Sequence, residues 1–187
     1  MNDQPAQGDV APELLHEVRE GGIAWTTLNR PRARNAMTFA MYEGLARLSA
    51  EVSADDAVRA WVITGAGEKA FAAGTDIAQF RAFRTGRDAL DYESKVDRVL
   101  TAIENCRKPT IAAIAGACTG GGFAIAAVCD LRLATADARL GLPMARTLGN
   151  TLSMISHARF AALIGAARVA DLIFTARLMG ADEARNS

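Results

Sequence analysis

The sequence predicts an α/β fold in which parallel strands alternate with helices. Short apolar runs of the kind found in buried strands recur along the chain, and segments with apolar residues three and four apart follow them. Such alternation is typical of parallel sheets that are covered by helices. The 187 residues include 16 glycines and many alanines, and these small residues let helices pack closely on a sheet.

The first predicted elements are a hairpin and a capped helix. Residues 14–19 and 23–28 have strand-like composition, and Gly21 and Gly22 between them suit a tight turn. Thr38 is placed to cap the helix that follows. The apolar stripe of this helix consists of Met41, Leu45, Leu48 and Val52.

The middle of the chain continues the alternation. Residues 60–64 form a short buried strand, and residues 65–74 form a loop rich in glycine and alanine. Asp76 is placed to cap a helix that begins with the residues IAQF. Residues 85–91 are polar and predict a surface connection, which leads into a longer helix that ends at Lys108 and Pro109.

The remaining segments complete the pattern. Residues 110–115 predict a second buried strand, and a glycine-rich loop and a helix over residues 121–128 follow it. Residues 130–135 predict a third strand. From residue 151 onward the spacing of apolar residues predicts helices, with one stripe through Leu152, Ile155, Phe160, Leu163 and Ile164 and another over residues 169–174.

Composition and charge exclude several classes of function. Lysine and arginine total 21, aspartate and glutamate also total 21, and the net charge is therefore zero. A neutral chain gives no electrostatic reason to expect binding to nucleic acid or to a membrane surface, so an anionic ligand needs a local site. Residues 111–129 carry no charge, but Gly116 and the triplet 120–122 interrupt them, which favours a buried strand, loop and helix over a membrane span.

The three cysteines, Cys106, Cys118 and Cys129, show neither a C-x-x-C pair nor the spacing of a metal site. An odd number of cysteines without such spacing is typical of reduced thiols. We therefore expect a cytoplasmic protein without a metal.

Two loops carry the chemical information. Residues 69–77 and residues 116–122 each follow a buried strand and each open a helix. Glycine and alanine leave backbone N–H groups uncovered, and two such loops could hold one oxyanion, with each donor worth about 3–4 kcal/mol. The alternative is that the glycines only permit tight turns and close packing. Neither the dinucleotide-binding pattern nor the P-loop pattern is present.

Three runs resemble the crotonase family, also called the enoyl-CoA hydratase/isomerase superfamily. They are LNRPRARNAM (28–37), EKAFAAGTDI (68–77) and KPTIAAIAGACTGGGFAIAAVCDLRLAT (108–135), and they occur in the order of the family and at its separations. The resemblance extends from about residue 14 to about residue 184. It implies a spiral of β–β–α turns that takes a coenzyme A thioester as substrate, holds no permanent cofactor, and assembles as a homotrimer or as a hexamer of two trimers.

The resemblance also implies roles for individual residues. The N–H groups of Thr75 and Gly121 would hold the thioester oxygen, in a loop that Gly120 and Gly122 shape. Contacts with coenzyme A are implied for Arg32, Arg34, Lys69, Ala70, Ala72, Ala73, Gly74 and Asp76. Solvated surface charge is the alternative for the three cations, and Asp76 is explained better as a helix cap than as a base.

The sequence departs from the family at the proton-transfer positions. Hydratases of the family use two glutamates, and the matching positions here are Ala124 and Met144. Each such group typically contributes about 100- to 10,000-fold, so ordinary hydration should be weak. Asn150 cannot replace them as a base near neutral pH. Ser153 and His157 stand four residues apart and could form a nucleophile pair, but a helix with exposed polar positions is the stronger explanation.

The expected organisation is a flexible leader over residues 1–12, a core domain over residues 13–150, and the start of a helical region over residues 151–187. Members of the family usually continue with a further helical segment, so this region is expected to be truncated.

Three functions remain open. The chain is an enzyme that stabilises a thioester enolate, an inactive protein that binds coenzyme A and supports assembly, or a decarboxylase or thioesterase on the same fold.

Overall fold

The computed structural model describes residues 12–187. The leader predicted for residues 1–12 therefore lies, except for Pro12, outside the described residues. The strands are β1 (Leu14–Arg19), β2 (Ile23–Leu28), β3 (Ala60–Gly65), β4 (Ala70–Ala72), β5 (Thr110–Ile114), β6 (Ala117–Thr119), β7 (Leu131–Ala134), β8 (Arg139–Gly141) and β9 (Leu178–Gly180). The α-helices are α1 (Phe39–Ala54), α2 (Gly86–Glu104), α3 (Gly121–Val128), α4 (Met144–Leu148), α5 (Met154–Ile164), α6 (Ala166–Thr175) and α7 (Ala181–Arg185).

The strands form two sheets. The larger sheet has the order β1-β2-β3-β5-β7, and only β1 runs antiparallel to its neighbour. The smaller sheet has the order β4-β6-β8-β9, and only β9 is antiparallel. In the larger sheet Val62 lies between Trp25 on one side and Ile111 on the other, which fixes the register of its three central strands.

Successive strands alternate between the two sheets. β3, β5 and β7 belong to the larger sheet, whereas β4, β6 and β8, which follow them directly, belong to the smaller one. After each pair comes a helix: α2, α3 or α4. The chain is thus a spiral of β–β–α turns, as the resemblance to crotonases implies. Because β4, β6 and β8 are parallel neighbours, the loops at their carboxyl ends meet at one edge of the smaller sheet.

A single apolar core lies between the sheets and the helices. Its largest buried side chains are aromatic, and the rings of Phe123 in α3 and Phe160 in α5 lie 4.8 Å apart between centroids. Trp61 in β3 is fully buried, and its indole N–H donates to Thr26 Oγ1 at 2.8 Å. This bond satisfies the polar atom that burial of tryptophan would otherwise leave unpaired.

Elements with a clear sequence pattern are placed as predicted. The hairpin strands β1 and β2 have the predicted bounds, and so does α3. Thr38 caps α1 and accepts a hydrogen bond from the Met41 N–H at 3.1 Å. The amphipathic stripe of α1 is buried against the core.

Short strands are the main elements that the sequence misses. β4 and β6 lie inside the two glycine loops, and β8 and β9 were not expected either. Each has only three residues, which is too short for an alternating pattern to show. They form because each pairs with a neighbouring strand that is distant in sequence.

Two helix bounds also differ from the prediction. α2 begins at Gly86 rather than after residue 91, because Thr85 and Asp88 form a capping box at its start. It ends at Glu104, several residues before Lys108. The segment after Asp76, residues 77–82, is a 3₁₀-helix rather than an α-helix, although Asp76 caps it as expected by accepting from the Ala78 N–H.

The C-terminal helices are present, but their buried faces are narrower than predicted. Phe160 and Ile164 are buried, whereas Ile155 is 53% exposed. In α6 the predicted stripe fails at Phe174, which is 85% exposed. Ile155 and Phe174 lie on the outer faces of α5 and α6. The spacing of apolar residues alone does not distinguish the core-facing side of a helix from its exposed side.

The uncharged segment 111–129 is divided among β5, β6 and α3. Within residues 12–187 no helix has the length and apolar character that crossing a membrane requires. The three cysteines are free thiols, and Cys118 and Cys129 are buried. Burial raises the pKa of both buried thiols, to about 12 for Cys129, so both are protonated near neutral pH.

Candidate active site

A cavity of about 170 Å³ opens at the carboxyl edge of the smaller sheet. The loops after β4, β6 and β8 form one wall, and α2 and the segment that leads into α5 form the other. Strand ends at such an edge commonly carry ligand sites, because the loops there converge while the strands hold them rigidly. The two glycine loops singled out in the sequence meet in this wall.

The first loop presents the N–H group of Thr75. Met37 pairs with this segment as a parallel bridge: its N–H donates to the Gly74 carbonyl at 2.8 Å, and its carbonyl accepts from the Asp76 N–H at 2.9 Å. In extended backbone, neighbouring residues point their polar groups in opposite directions. The Thr75 N–H therefore points away from Met37, and among residues 12–187 it has no hydrogen-bond acceptor.

The second loop presents the N–H group of Gly121. Gly120 has a φ of +53°, which favours glycine, and its N–H donates to the Gly141 carbonyl at 3.0 Å. Gly121 is the first residue of α3, where an N–H has no acceptor within the helix. A Cβ built on Gly120 would lie 3.6 Å from the Gly74 Cα, so the two loops are in direct contact.

A chain of three hydroxyl groups supports these loops. The Thr75 hydroxyl lies 2.8 Å from the Tyr42 hydroxyl and 2.7 Å from the Tyr92 hydroxyl. The Tyr42 hydroxyl also packs against Gly121, where an added Cβ would overlap it. Burial raises the pKa of both tyrosines, so both phenols are neutral and can donate. Sequence pattern does not reveal this chain of hydroxyls, because its members come from three segments that are distant in sequence.

Close packing explains why residue 122, the last of the triplet, is a glycine. A Cβ on Gly122 would overlap the carbonyl of Ala72 in β4, which allows α3 to lie directly on the smaller sheet. The packing explanation for the triplet is thus correct for Gly122. It coexists with the exposed N–H of Gly121 and does not exclude a ligand there.

The departures from the family pattern lie at the cavity wall. Ala124 in α3 and Met144 at the start of α4 both line the cavity, and neither can transfer a proton. Thr147, Asn150 and Thr151 also line it. The positions that would carry carboxylates in a hydratase therefore face the same space as the two N–H groups.

The suggested pair of Ser153 and His157 is wrong. Ser153 is the N-cap of α5, and its hydroxyl donates to an Asp97 carboxylate oxygen at 2.9 Å. The His157 ring contacts the backbone carbonyl of Ser153, not its hydroxyl. A serine committed to a cap and a carboxylate cannot be activated by this histidine.

Two carboxylates in α2 line the cavity, and neither belongs to a motif that is visible in the sequence. They are Glu93 and Asp97, four residues apart and thus on one face of the helix. Asp97 accepts from the hydroxyls of Ser153 and Ser156, and the Arg159 guanidinium lies 3.8 Å from it. One signal in the sequence is that Glu93 and Asp97 directly follow Tyr92 and Val96, which also line the cavity. The apolar stripe of α2 indicates a core-facing helix and gives no reason to single out these carboxylates.

The residues assigned to coenzyme A occupy different environments. Of the segment 70–73, only Ala73 lines the cavity beside Gly74, whereas Ala70 and Ala72 are buried in β4. Three cations are exposed and form no ion pair with any residue of the described part of the chain: Arg32, Arg34 and Lys69. Their contact with a ligand stays a prediction.

Asp76 is held in a structural network. Its carboxylate accepts from the Arg30 guanidinium at 2.9 Å and from the Ala78 N–H at 3.0 Å. These bonds hold the pKa of the Asp76 carboxyl below its usual range, and the bond from Arg30 has the largest effect. Asp76 is therefore the helix cap that the sequence offered as an alternative, and its contact with coenzyme A stays a prediction.

Replacing Asp76 by asparagine should lower the free energy of unfolding by about 1 kcal/mol near neutral pH. A carboxyl whose pKa is lower in the folded state stabilises the fold above its unfolded pKa and loses this contribution as pH falls through the folded pKa. The difference between parent and variant should therefore shrink between about pH 7 and about pH 3 in urea unfolding. The exposed Asp137→Asn is the control, and a difference that did not change with pH would contradict the assignment.

No group of three histidine, cysteine, aspartate or glutamate side chains within residues 12–187 is arranged to hold a metal ion. Fold and cavity together define a β–β–α spiral protein with a cleft where two backbone N–H groups have no acceptor in the described part of the chain. The sequence model of a family described as enoyl-CoA hydratase/isomerase matches residues 18–187. The chain belongs to this enoyl-CoA hydratase/isomerase family, which confirms the resemblance to crotonases.

Individual relatives agree with this assignment. A short-chain-enoyl-CoA hydratase of Clostridium acetobutylicum is 40% identical over 168 residues, which are 89% of this chain and 63% of that protein. The mitochondrial Delta(3,5)-Delta(2,4)-dienoyl-CoA isomerase of Mus musculus is 37% identical over 171 residues, 86% of this chain and 52% of the isomerase. The chain thus spans less than two thirds of these two relatives.

Solved structures show the same fold. An enoyl-CoA hydratase/carnithine racemase from Magnetospirillum magneticum superposes with a TM-score of 0.86 at 35% identity, over 93% of this chain and 67% of that one. An enoyl-CoA hydratase from Bacillus anthracis gives the same TM-score at 30% identity, over 94% of this chain and 67% of its own. The crotonase-like spiral predicted from sequence is therefore confirmed.

Proposed function

We propose that the chain binds an acyl-coenzyme A thioester and stabilises its enolate between the N–H groups of Thr75 and Gly121. The observation that carries this proposal is that both N–H groups lie at one cavity and have no hydrogen-bond acceptor among residues 12–187. An enolate oxygen carries negative charge, and two fixed donors stabilise it by about 3–4 kcal/mol each. The N-terminus of α3 adds the positive end of a helix dipole at Gly121.

The rest of the ligand needs contacts outside the cavity. Exposed Arg32, Arg34 and Lys69 can neutralise phosphates of coenzyme A, and Ala73 and Gly74 line the cavity where the pantetheine arm would pass. This arrangement satisfies the condition set by the neutral composition, namely that local cations must hold an anionic ligand. Relatives named as hydratases and isomerases of CoA thioesters support the substrate class.

We also propose a homotrimer, or a hexamer of two trimers, in the cytoplasm, with no resident cofactor. The resemblance to crotonases supports this assembly, because it implies a trimer or a hexamer. A second support is apolar surface on the edge strand β7, where exposed Leu131 and Leu133 could contact another copy of the chain.

Hydration of crotonyl-CoA by this protein should be slow. Ala124 and Met144 stand where carboxylates would activate and deliver water, and each missing group removes about 100- to 10,000-fold. A spectrophotometric assay of crotonyl-CoA consumption by purified protein measures this. Turnover as fast as that of a hydratase with both glutamates, assayed in parallel, would contradict the expectation.

The proposed function is tested with butyryl-CoA, a saturated thioester that cannot be hydrated. We expect calorimetric binding, and in D₂O we expect exchange of the protons on the carbon next to the thioester carbonyl, measured by mass spectrometry. Binding without exchange would indicate the second candidate, an inactive protein that binds coenzyme A, which the uncharged side chains of Ala124 and Met144 favour. Loss of the acyl group or of carbon dioxide from aryl or malonyl thioesters would indicate a thioesterase or decarboxylase.

A further inference from the structure

We propose that Glu93 is the acid–base residue of this cavity. The inference rests on the proposed function, because it supplies the proton transfer that Ala124 and Met144 cannot perform. Three ionisable side chains among residues 12–187 line the cavity: Tyr92, Glu93 and Asp97. The surroundings of each decide which one is available for chemistry.

Tyr92 and Asp97 are both committed to structural bonds. The Tyr92 hydroxyl lies 2.7 Å from the Thr75 hydroxyl, and burial keeps the phenol neutral. Asp97 accepts from Ser153 and Ser156 and lies beside the guanidinium of Arg159, which is itself largely buried. These contacts fasten α2 to the oxyanion loop on one side and to α5 on the other.

Glu93 differs from Tyr92 and Asp97 because its helix is anchored while its own carboxylate has no structural partner among the described residues. It is half-buried at the cavity wall, and with the other described residues it forms neither an ion pair nor a side-chain hydrogen bond. Its neighbour Tyr92 anchors this turn of α2 to Thr75, whose N–H is one of the two proposed oxyanion donors. A carboxylate on a fixed helix, facing the same cavity as the oxyanion donors, has the position of a general base.

The other charged residues of this turn do not compete for the role. Lys95 and Arg98 both reach Glu43 on α1, at 3.7 Å and 2.6 Å, and neither lines the cavity. Asp91 pairs with Arg87 on the exposed side of α2. Glu93 therefore lines the cavity without an ion pair to any described residue, whereas Asp91, Lys95 and Arg98 form ion pairs away from the cavity.

The proton transfer balances without any further reactant. The Glu93 carboxylate takes a proton from the carbon next to the thioester carbonyl and becomes a carboxylic acid. The electron pair of the broken C–H bond forms the C=C bond of the enolate, and the C=O π pair moves to the oxygen held by Thr75 and Gly121. In D₂O the acid exchanges its proton with solvent and returns a deuteron to carbon as the carbonyl re-forms.

The test compares Glu93→Gln with Asp91→Asn, a matched loss of charge on the exposed side of the same helix. With butyryl-CoA in D₂O, we expect Glu93→Gln to slow exchange by about 100- to 10,000-fold while its calorimetric affinity stays that of the parent. Asp91→Asn should exchange as fast as the parent. Unfolding measurements on both variants report whether the fold is kept.

The outcomes separate this inference from the proposed function. Glu93→Gln that exchanges as fast as the parent would overturn the role of Glu93 and leave the oxyanion proposal standing. Loss of binding in parallel with exchange would also overturn it, because Glu93 would then serve ligand binding or folding. A parent protein that neither binds nor exchanges butyryl-CoA would refute the proposed function, and this inference with it.

Discussion

Gly121→Pro should slow exchange of butyryl-CoA protons by about 100- to 1,000-fold, the usual cost of one lost oxyanion donor. Proline has no N–H, and the first position of a helix tolerates its ring. Gly121 occupies that position in α3, and its N–H is the proposed donor. The substitution therefore removes the hydrogen bond while leaving the helix geometry possible.

The experiment needs a Tyr42→Phe background, because any Cβ at position 121 would overlap the Tyr42 hydroxyl. In that background Gly121→Ala is the matched control, since it adds a Cβ but keeps the N–H. We expect the alanine variant to exchange far faster than the proline variant, with similar thermal stability for the two. Equal exchange rates would show that the Gly121 N–H plays no part in the reaction.

The second large effect is a gain of activity. Ala124→Glu combined with Met144→Glu should raise crotonyl-CoA hydration by at least about 100-fold, because the two carboxylates would activate water and protonate the enolate. Both positions line the cavity that contains Thr75 and Gly121. Initial rates of crotonyl-CoA consumption measure the gain directly.

The control for this gain is the pair Ala124→Gln with Met144→Gln, which has similar shape and polarity but cannot transfer protons. It should leave hydration at the low rate of the parent. A folded carboxylate variant that binds butyryl-CoA and still fails to hydrate crotonyl-CoA would contradict the position assigned to the thioester.

Much of the fold follows from local sequence pattern. The hairpin, α1 and α3 have the predicted places, because turn glycines, a threonine cap and a glycine triplet mark their ends. The three-residue strands β4, β6 and β8 escape prediction, because pairing between distant segments creates them. Yet these strands determine the site, since the loops at their ends form one wall of the cavity.

The residues of the candidate site also fall into those that sequence motifs indicate and those that only the tertiary fold reveals. The resemblance implies Thr75 and Gly121 through motifs that are continuous in sequence, and the structure brings the loops of these two residues together. Glu93 and the Tyr42 hydroxyl lie on helices far from these motifs, and only the tertiary fold brings them close. The spacing of Ser153 and His157 allowed a nucleophile pair beside the stronger explanation of polar helix positions, and in the structure Ser153 is a helix cap bonded to Asp97.

The central claim is that Thr75 and Gly121 hold a thioester oxygen, and a crystal structure with butyryl-CoA bound tests it most directly. We expect the thioester oxygen at about 3 Å from both backbone nitrogens, the distance of an N–H···O hydrogen bond. The adjoining carbon should lie within about 4 Å of the Glu93 carboxylate, directly or through one water. A thioester bound outside the cavity, with both N–H groups left to solvent, would contradict the account.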